Sequence, residues 1–357
     1  MTEISLIDRD FEKLINEKKI KSICENINLK KYIQPASLDI PVSNKAFLVR
    51  FKFLPFKKKI EQVVESIKLD ELDLDENPIL FKDNTYLIPC IKLEGIDEKY
   101  IGRISPKSSI GRIDLMVRAI NNNCSYYDYL EKVKGIVWLE VTPRSFNIRL
   151  KTGTALAQLK LLERKEVVLD LRKEKLIYNK KGKLQKITFY DKDKVLLRIE
   201  IPKKGIIGYE ARISNEIIDL SKVKSHDRNK YFKEVKKVGT NYNKIILEKN
   251  KFYILKTKEF VQFPPHLSGE LLPLSNLLGE FRVHYAGFFD PGFGFNIKGN
   301  QAVLEIRPHE NLIVYDDQPI CIMQYYPNRA KPKNIYGKAG NNYSKQKKVR
   351  LAKYFKD

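Results

Sequence analysis

The first apolar pattern in the chain is helical. Leu6, Ile7, Phe11, Leu14 and Ile15 recur at three- and four-residue spacing behind Ser5 and Asp8, either of which suits an N-cap, and predict a short amphipathic helix near the N-terminus. Beyond it the period changes. Short runs rich in β-branched and aromatic residues occupy 46–53, 86–93, 136–141, 146–150 and 155–162, separated by Pro, Asn, Gly and Lys turns. Many short strands with little helix predict a mainly β architecture.

The strand pattern also repeats. Ile79 to Ile88 lines up with Ile245 to Ile254, an offset of 166 from Asn84 to Asn250, and Val137-Trp138-Leu139-Glu140 lines up with Ala302-Val303-Leu304-Glu305, an offset of 165. Two tandem copies of one β domain are expected, over 1–164 and 165–357. Between the copies, Leu176-Ile177-Tyr178-Asn179-Lys180-Lys181-Gly182-Lys183-Leu184 reads as a hairpin around an Asn-Lys-Lys-Gly turn. At the end, 329–357 carries ten Lys and Arg against one acid, interleaved with Tyr336, Tyr343, Tyr354 and Phe355. With few aliphatic anchors, this tail is expected to be mobile.

Composition narrows the classes. A length of 357 residues suits two domains of about 150 each, and 43% hydrophobic with 31% charged residues is a globular balance. No run approaches the roughly 18 apolar residues of a membrane span, and Glu3, Asp8, Asp10 and Glu12 stand where a signal peptide needs basic then apolar residues, so a cytoplasmic protein is expected. Cys24, Cys90, Cys124 and Cys321 form no CxxC pair, and His226, His266, His284 and His309 no metal-spaced pair, so neither a disulfide framework nor a protein-caged metal is expected. A net charge of +23 invites a nucleic-acid partner, but 51 of the 67 basic residues are Lys, spread along the length. That distribution argues for anions in general, phosphorylated small molecules included, and against nucleic acid in particular.

Three segments carry candidate chemistry. Ser105-Pro106-Lys107-Ser108-Ser109-Ile110-Gly111-Arg112 brings hydroxyls, turn amides and two cations to one small volume, which suits phosphate oxygens; equally, the Ser pair suits the cap of a helix starting at Ile110, with Arg112 solvated. In the second copy, strand-like residues 280–289 run into Asp290-Pro291-Gly292, a turn able to present a carboxylate beside aromatic rings to a sugar hydroxyl, or to bind its own backbone. Glu140 and Glu305 each end an apolar strand run. A carboxylate there is either a proton shuttle with a raised pKa or one half of a salt bridge, with Arg112, Arg282 and Arg307 as candidate partners.

Taken together, these residues resemble the dCTP deaminases of the trimeric dUTPase-like superfamily, and specifically their long two-copy bacterial form. The likeness runs through 6–10, 34–40, 107–115 and 153–159 in the first copy, and through 286–293, 302–305, 336–338 and 342–346 in the second. The resemblance implies tandem duplicated dUTPase-like distorted β-barrel or jelly-roll domains and deamination of dCTP to dUTP and ammonia without zinc. It also implies Mg²⁺ carried with the triphosphate, and a tail that closes over the nucleotide. By position it gives the catalytic roles to Glu305 and Arg112, and substrate binding to Lys107, Ser108, Ser109, Gln158, Ala286, Asp290, Tyr336, Tyr343 and Gln346.

Each copy departs from the family pattern. The first keeps Ser-Ser-x-x-x-Arg but has Asp128-Tyr129-Leu130 where the family has Asp-Pro-Gly; the second keeps Asp-Pro-Gly but has 273–280 in place of the Ser pair and Arg. The expectation is one intact site per chain assembled from both copies, in a monomer or a small homo-oligomer, as in the two-copy dUTPases of herpesviruses. The alternatives are a dUTP diphosphatase or a bifunctional enzyme, and, in a different class, a non-catalytic nucleotide- or nucleic-acid-binding protein.

Overall fold

Antiparallel pairing dominates the structure, a computed structural model that describes residues 2–56, 58–122, 124–203, 205–236, 243–274, 281–284, 287–337 and 350–356. The first half builds two six-stranded sheets. One is centred on Ala155–Val167, flanked by Tyr100–Pro106 and Ser37–Pro41; the other is centred on Gly135–Pro143, flanked by Leu115–Asn121 and Thr85–Leu93. Gly135–Pro143 and Thr85–Leu93 are buried at nearly every position, as strands covered on both faces must be. In the second half, Tyr253–Val261 and Asn300–Pro308 pair in one sheet while Leu267–Pro273 and Pro319–Pro327 pair in another. The mainly β reading holds.

The duplication is written in hydrogen bonds. Tyr86 Oη accepts from the Phe81 N–H at 3.0 Å, and Tyr253 Oη accepts from the Glu248 N–H at 3.0 Å. Asp83 and Asn250 both sit in the left-handed region, at φ 64° and 61°, and donate their N–H groups to Pro143 O and Pro308 O at 2.8 and 2.9 Å. Asp83, not Asn84, is therefore the structural counterpart of Asn250. The alignment on paired Asn residues is off by one at this turn, because the left-handed residue, which Asn or Asp can occupy, sets the register.

The N-terminal helix begins later than its apolar pattern suggests. It spans Asp8–Asn16, while Thr2–Ser5 is a strand that pairs with the end of Ala155–Val167. Ser5 is therefore no cap; the Asp10 carboxylate accepts from the Ile7 N–H at 3.0 Å and closes the first turn. Phe11 is fully buried. The run 46–53 is strand only over Lys45–Val49, and the 176–184 hairpin keeps its Asn179 turn, although Ile177–Tyr178 also pairs with Phe260 and Val261.

The expectation of a mobile tail is corrected over 350–356. Ala352, Tyr354 and Phe355 are buried in the first core, where the Phe355 ring meets Tyr231 and Phe232 at centroid distances of 5.2 and 5.4 Å. Tyr354 O accepts from the N–H groups of Ser225 and His226. Aromatic burial replaces the missing aliphatic anchors. Ile217–Asp219 adds in parallel to Asn147–Arg149, so residues from beyond 164 complete the first half. Among the described residues no helix is long and apolar enough to cross a membrane.

Two equivalent tyrosine bonds predict two equivalent losses. Tyr86→Phe and Tyr253→Phe should each lower stability by about 1 kcal/mol in urea unfolding, and the double variant should lose the sum. A loss from one position only would contradict the equivalence of the two turns.

Candidate active site

The phosphate-type motif follows directly from its strand. Tyr100–Pro106 ends in Lys107, whose extended backbone leads into one helical turn, Ser108–Gly111, closed by Ile110 N–H to Lys107 O at 2.8 Å and Arg112 N–H to Ser108 O at 3.1 Å. Buried Ile110 and Ile113 anchor the turn, so the two hydroxyls belong to the turn itself and do not cap a helix starting at Ile110. Arg112 is not solvated: its side chain is 6% exposed and turned inward, with Nη1 donating to Arg350 O at 2.9 Å. Lys107 pairs with Asp39, whose carboxylate also accepts from Gln158 Nε2 at 3.0 Å and Gln34 Nε2 at 3.2 Å.

The second half brings the acids. Glu305 lies within Asn300–Pro308, held between Ile254 and His284 of the neighbouring strands, and its side chain is 2% exposed. Its Oε1 stands 3.7 Å from Arg112 Nε. Burial pushes the Glu305 carboxyl up to about 8 against the opposing pull of Arg112. Asp290 turns its carboxylate across the seam to the Ala36 N–H at 3.3 Å, while its own carbonyl takes the Phe293 N–H at 3.1 Å. Burial raises the Asp290 carboxyl to about 6, with Lys160 as the main opposing charge.

Two glycines let the halves approach. Gly287, at φ 97°, donates its N–H to Ser105 Oγ at 3.0 Å, and a Cβ there would lie 2.5 Å from Ser108 Oγ. Gly292, at φ 101°, would place a Cβ 2.9 Å from the Tyr336 backbone, whose N–H bonds Pro291 O at 2.7 Å. The result is a cavity of about 170 Å³. Lys107, Ser108, Ser109, Arg112 and Gln158 line it from the first half, and Asp290, Glu305 and Tyr336 from the second. Ala286, Tyr343 and Gln346 lie outside the described residues.

Some lining groups were not singled out as site residues from the sequence. Gln34 and Lys353 reach the cavity, with Phe288, Phe289 and Phe293 forming its apolar wall. Gln34 lies in a segment noted only for its resemblance, and Lys353 is hidden in the basic tail, where its aromatic neighbours were the available signal. Lys160 was missed entirely. Fully buried, it donates from Nζ to Ser5 Oγ, Ala36 O and Ser268 Oγ at 3.0, 2.9 and 3.1 Å, and burial lowers its pKa to about 8.

The first half's Glu140 and Asp128 face elsewhere. Glu140 pairs with Lys52 at 3.4 Å and takes a hydrogen bond from Tyr127 Oη at 3.4 Å, with burial holding its carboxyl above the usual range. Asp128, at φ 63°, is spent on Arg118 Nε at 2.5 Å and the Ala119 N–H at 2.6 Å. Of the partners named for the strand carboxylates, Arg112 meets Glu305, Arg307 pairs with Asp114 instead, and the Arg282 side chain is outside the description.

Comparison with known proteins gives the family. The chain is similar in structure to the crystal structure of 2'-deoxycytidine 5'-triphosphate deaminase from Agrobacterium tumefaciens, with a TM-score of 0.80 and 30% sequence identity over 92% of this chain and 100% of that one. Among curated proteins none matches the chain in sequence. The family model for the 2'-deoxycytidine 5'-triphosphate deaminase N-terminal domain matches residues 4–165, and that for the C-terminal domain matches 157–355. With nearly its whole length matched, the chain belongs to the 2'-deoxycytidine 5'-triphosphate deaminase family.

Proposed function

We propose that the protein deaminates dCTP to dUTP and ammonia, feeding the synthesis of deoxyuridine and thymidine nucleotides. The observation that carries this reading is the buried Arg112–Glu305 pair in a cavity that also holds the Ser108 and Ser109 turn and Asp290. Halves 1–164 and 165–357 are read as complementary, the first gripping phosphates and supplying Arg112, the second supplying the sugar-binding acid and the proton relay.

Ser108, Ser109 and Lys107 hold the triphosphate, Asp290 the deoxyribose 3'-hydroxyl, and the wall of Phe288 and Phe293 the nucleoside. Ionised Glu305 takes a proton from a water molecule as its oxygen attacks C4 of cytosine. The same proton passes to the exocyclic amino group, the C4–N bond breaks and ammonia leaves, and transfer of the remaining hydroxyl proton to N3 turns the C4–OH into the uracil carbonyl. Arg112 keeps Glu305 partly ionised in a dry site and limits the charge change during the relay.

The His-x-Glu and Pro-Cys-x-x-Cys signature of zinc deaminases does not occur in the sequence, which agrees with a zinc-free relay. Mg²⁺ is proposed to arrive on the triphosphate. The groups on the phosphate side are hydroxyls and cations, which suit phosphate oxygens, and a Mg²⁺ held by those oxygens needs no cage of protein acids.

A product assay with dCTP and dUTP in the presence of Mg²⁺ tests the reading. Ammonia from dCTP is expected; pyrophosphate from dUTP alone would favour a diphosphatase, and polynucleotide binding without turnover would favour a binding protein. Glu305→Gln is expected to abolish turnover by more than about 10³-fold while nucleotide binding survives. Glu140→Gln should keep turnover within a few-fold, and equal losses would contradict the division of labour.

The pH dependence follows from Glu305. Because it must be ionised to accept a proton, kcat/KM should fall about tenfold per pH unit below its value of about 8 and level off above it. An acid limb near the ordinary carboxylate value of 4.5 would contradict this. Stability runs the other way: the raised carboxyl's contribution is fully present below 4.5 and is lost as pH climbs through about 8. Glu305→Gln should therefore flatten the fall in unfolding midpoint between those values.

A further inference from the structure

The segment Arg112-Ile113-Asp114 faces Glu305-Ile306-Arg307 with charges reversed. Arg112 meets Glu305, and two residues on, Asp114 meets Arg307. Two crossed ion pairs at the same spacing fix a register that one pair leaves open to sliding.

The second pair is built into the backbone on both sides. Asp114 occupies the left-handed region at φ 54°, where its N–H bonds Gly111 O at 2.9 Å and its carbonyl takes the Arg144 N–H at 3.0 Å. Its carboxylate, with no side-chain exposure, accepts from Ser145 Oγ at 2.5 Å and from Arg307 Nη2. Arg307 Nη2 also donates to Ser145 Oγ at 3.1 Å, and its Nη1 donates to Asn250 O. The guanidinium thus joins the turn after the Ser pair, the 143–146 loop and the second half's own Asn250 turn. The same turn carries Ser108 and Arg112 one helical step away.

We infer that Asp114 and Arg307 are positioning residues for the reaction proposed above: their ion pair sets the register of the Ser108–Arg112 turn against the Glu305 strand and so holds the Arg112 guanidinium against the Glu305 carboxylate. The inference rests on that functional reading for its kinetic consequence but not for its geometric one. Neither residue touches the cavity. Their loss acts on kcat through a displaced Arg112, while the hydroxyls and Asp290 still bind nucleotide.

The test uses the full chain with Arg307→Met, Arg307→Lys and the isosteric Asp114→Asn. With dCTP and Mg²⁺, Arg307→Met and Asp114→Asn are expected to lose about tenfold or more in kcat with KM changed less than about threefold. Arg307→Lys, which keeps a cation opposite Asp114, should recover most of kcat. Values of kcat within twofold of wild type for both losses, or a fall in apparent kcat no larger than the loss of folded fraction seen in thermal unfolding, would overturn the inference. A second readout needs no turnover. The Arg112 Nε–H resonance should be protected from exchange in the wild-type protein and lose that protection in Asp114→Asn, and unchanged protection would overturn the proposal. Wild-type protein inert toward dCTP would count against the functional reading, leaving the resonance experiment to decide the positioning role.

Discussion

The contact between Arg112 and Glu305 is the constraint around which the molecule is organised. A carboxylate at 2% exposure is tolerated only beside an opposite charge, and a guanidinium at 6% exposure needs an acid or carbonyls. Such a pair is a poor device for stability, since the desolvation of two ions offsets much of their attraction. What the pair does show is a shifted acid: burial holds the Glu305 carboxyl at about 8 against the opposing pull of Arg112. The two groups come from different copies of the repeat, so the acid is tuned only when the copies are docked.

The docking surface shows what that demands. Gly287 lies against Ser108 and Gly292 against the Tyr336 backbone, close approaches that a side chain would block. Behind the seam, Lys160 satisfies two hydroxyls and a carbonyl drawn from both halves, and its charge is the main counterweight to Asp290. The lysine and the aspartate grip opposite ends of one residue, since Ala36 offers its carbonyl to Lys160 and its N–H to Asp290. In the first half, Glu140 and Asp128 are absorbed by Lys52, Tyr127 and Arg118. Glu140 and Asp128 are thus spent on local structure, while Glu305 and Asp290 line the cavity.

Much of this is legible in the sequence. Alternation and turn residues are local signals, so the strands, the repeat and the phosphate-type turn could be read from neighbouring residues. Glu305 stood out because a carboxylate ending an apolar run is physically awkward. The rest was hidden for physical reasons. Tyr354 and Phe355 sit among lysines and look solvated until Phe146, Tyr231 and Phe232 are brought together as their pocket. Lys160 occupies an apolar strand whose three acceptors come from distant segments, and the Asp114–Arg307 pair spans 193 residues of chain. The repeat register slipped by one because a left-handed turn position accepts either Asp83 or Asn84 in the alignment, while geometry accepts only the former.

The central claim is that one chain builds one nucleotide site out of both its halves. Titrating the Glu305→Gln protein with dCTP and Mg²⁺ in a calorimeter tests it most directly. The account predicts a single class of sites at one nucleotide per chain; two per chain, or one shared between two chains, would contradict it.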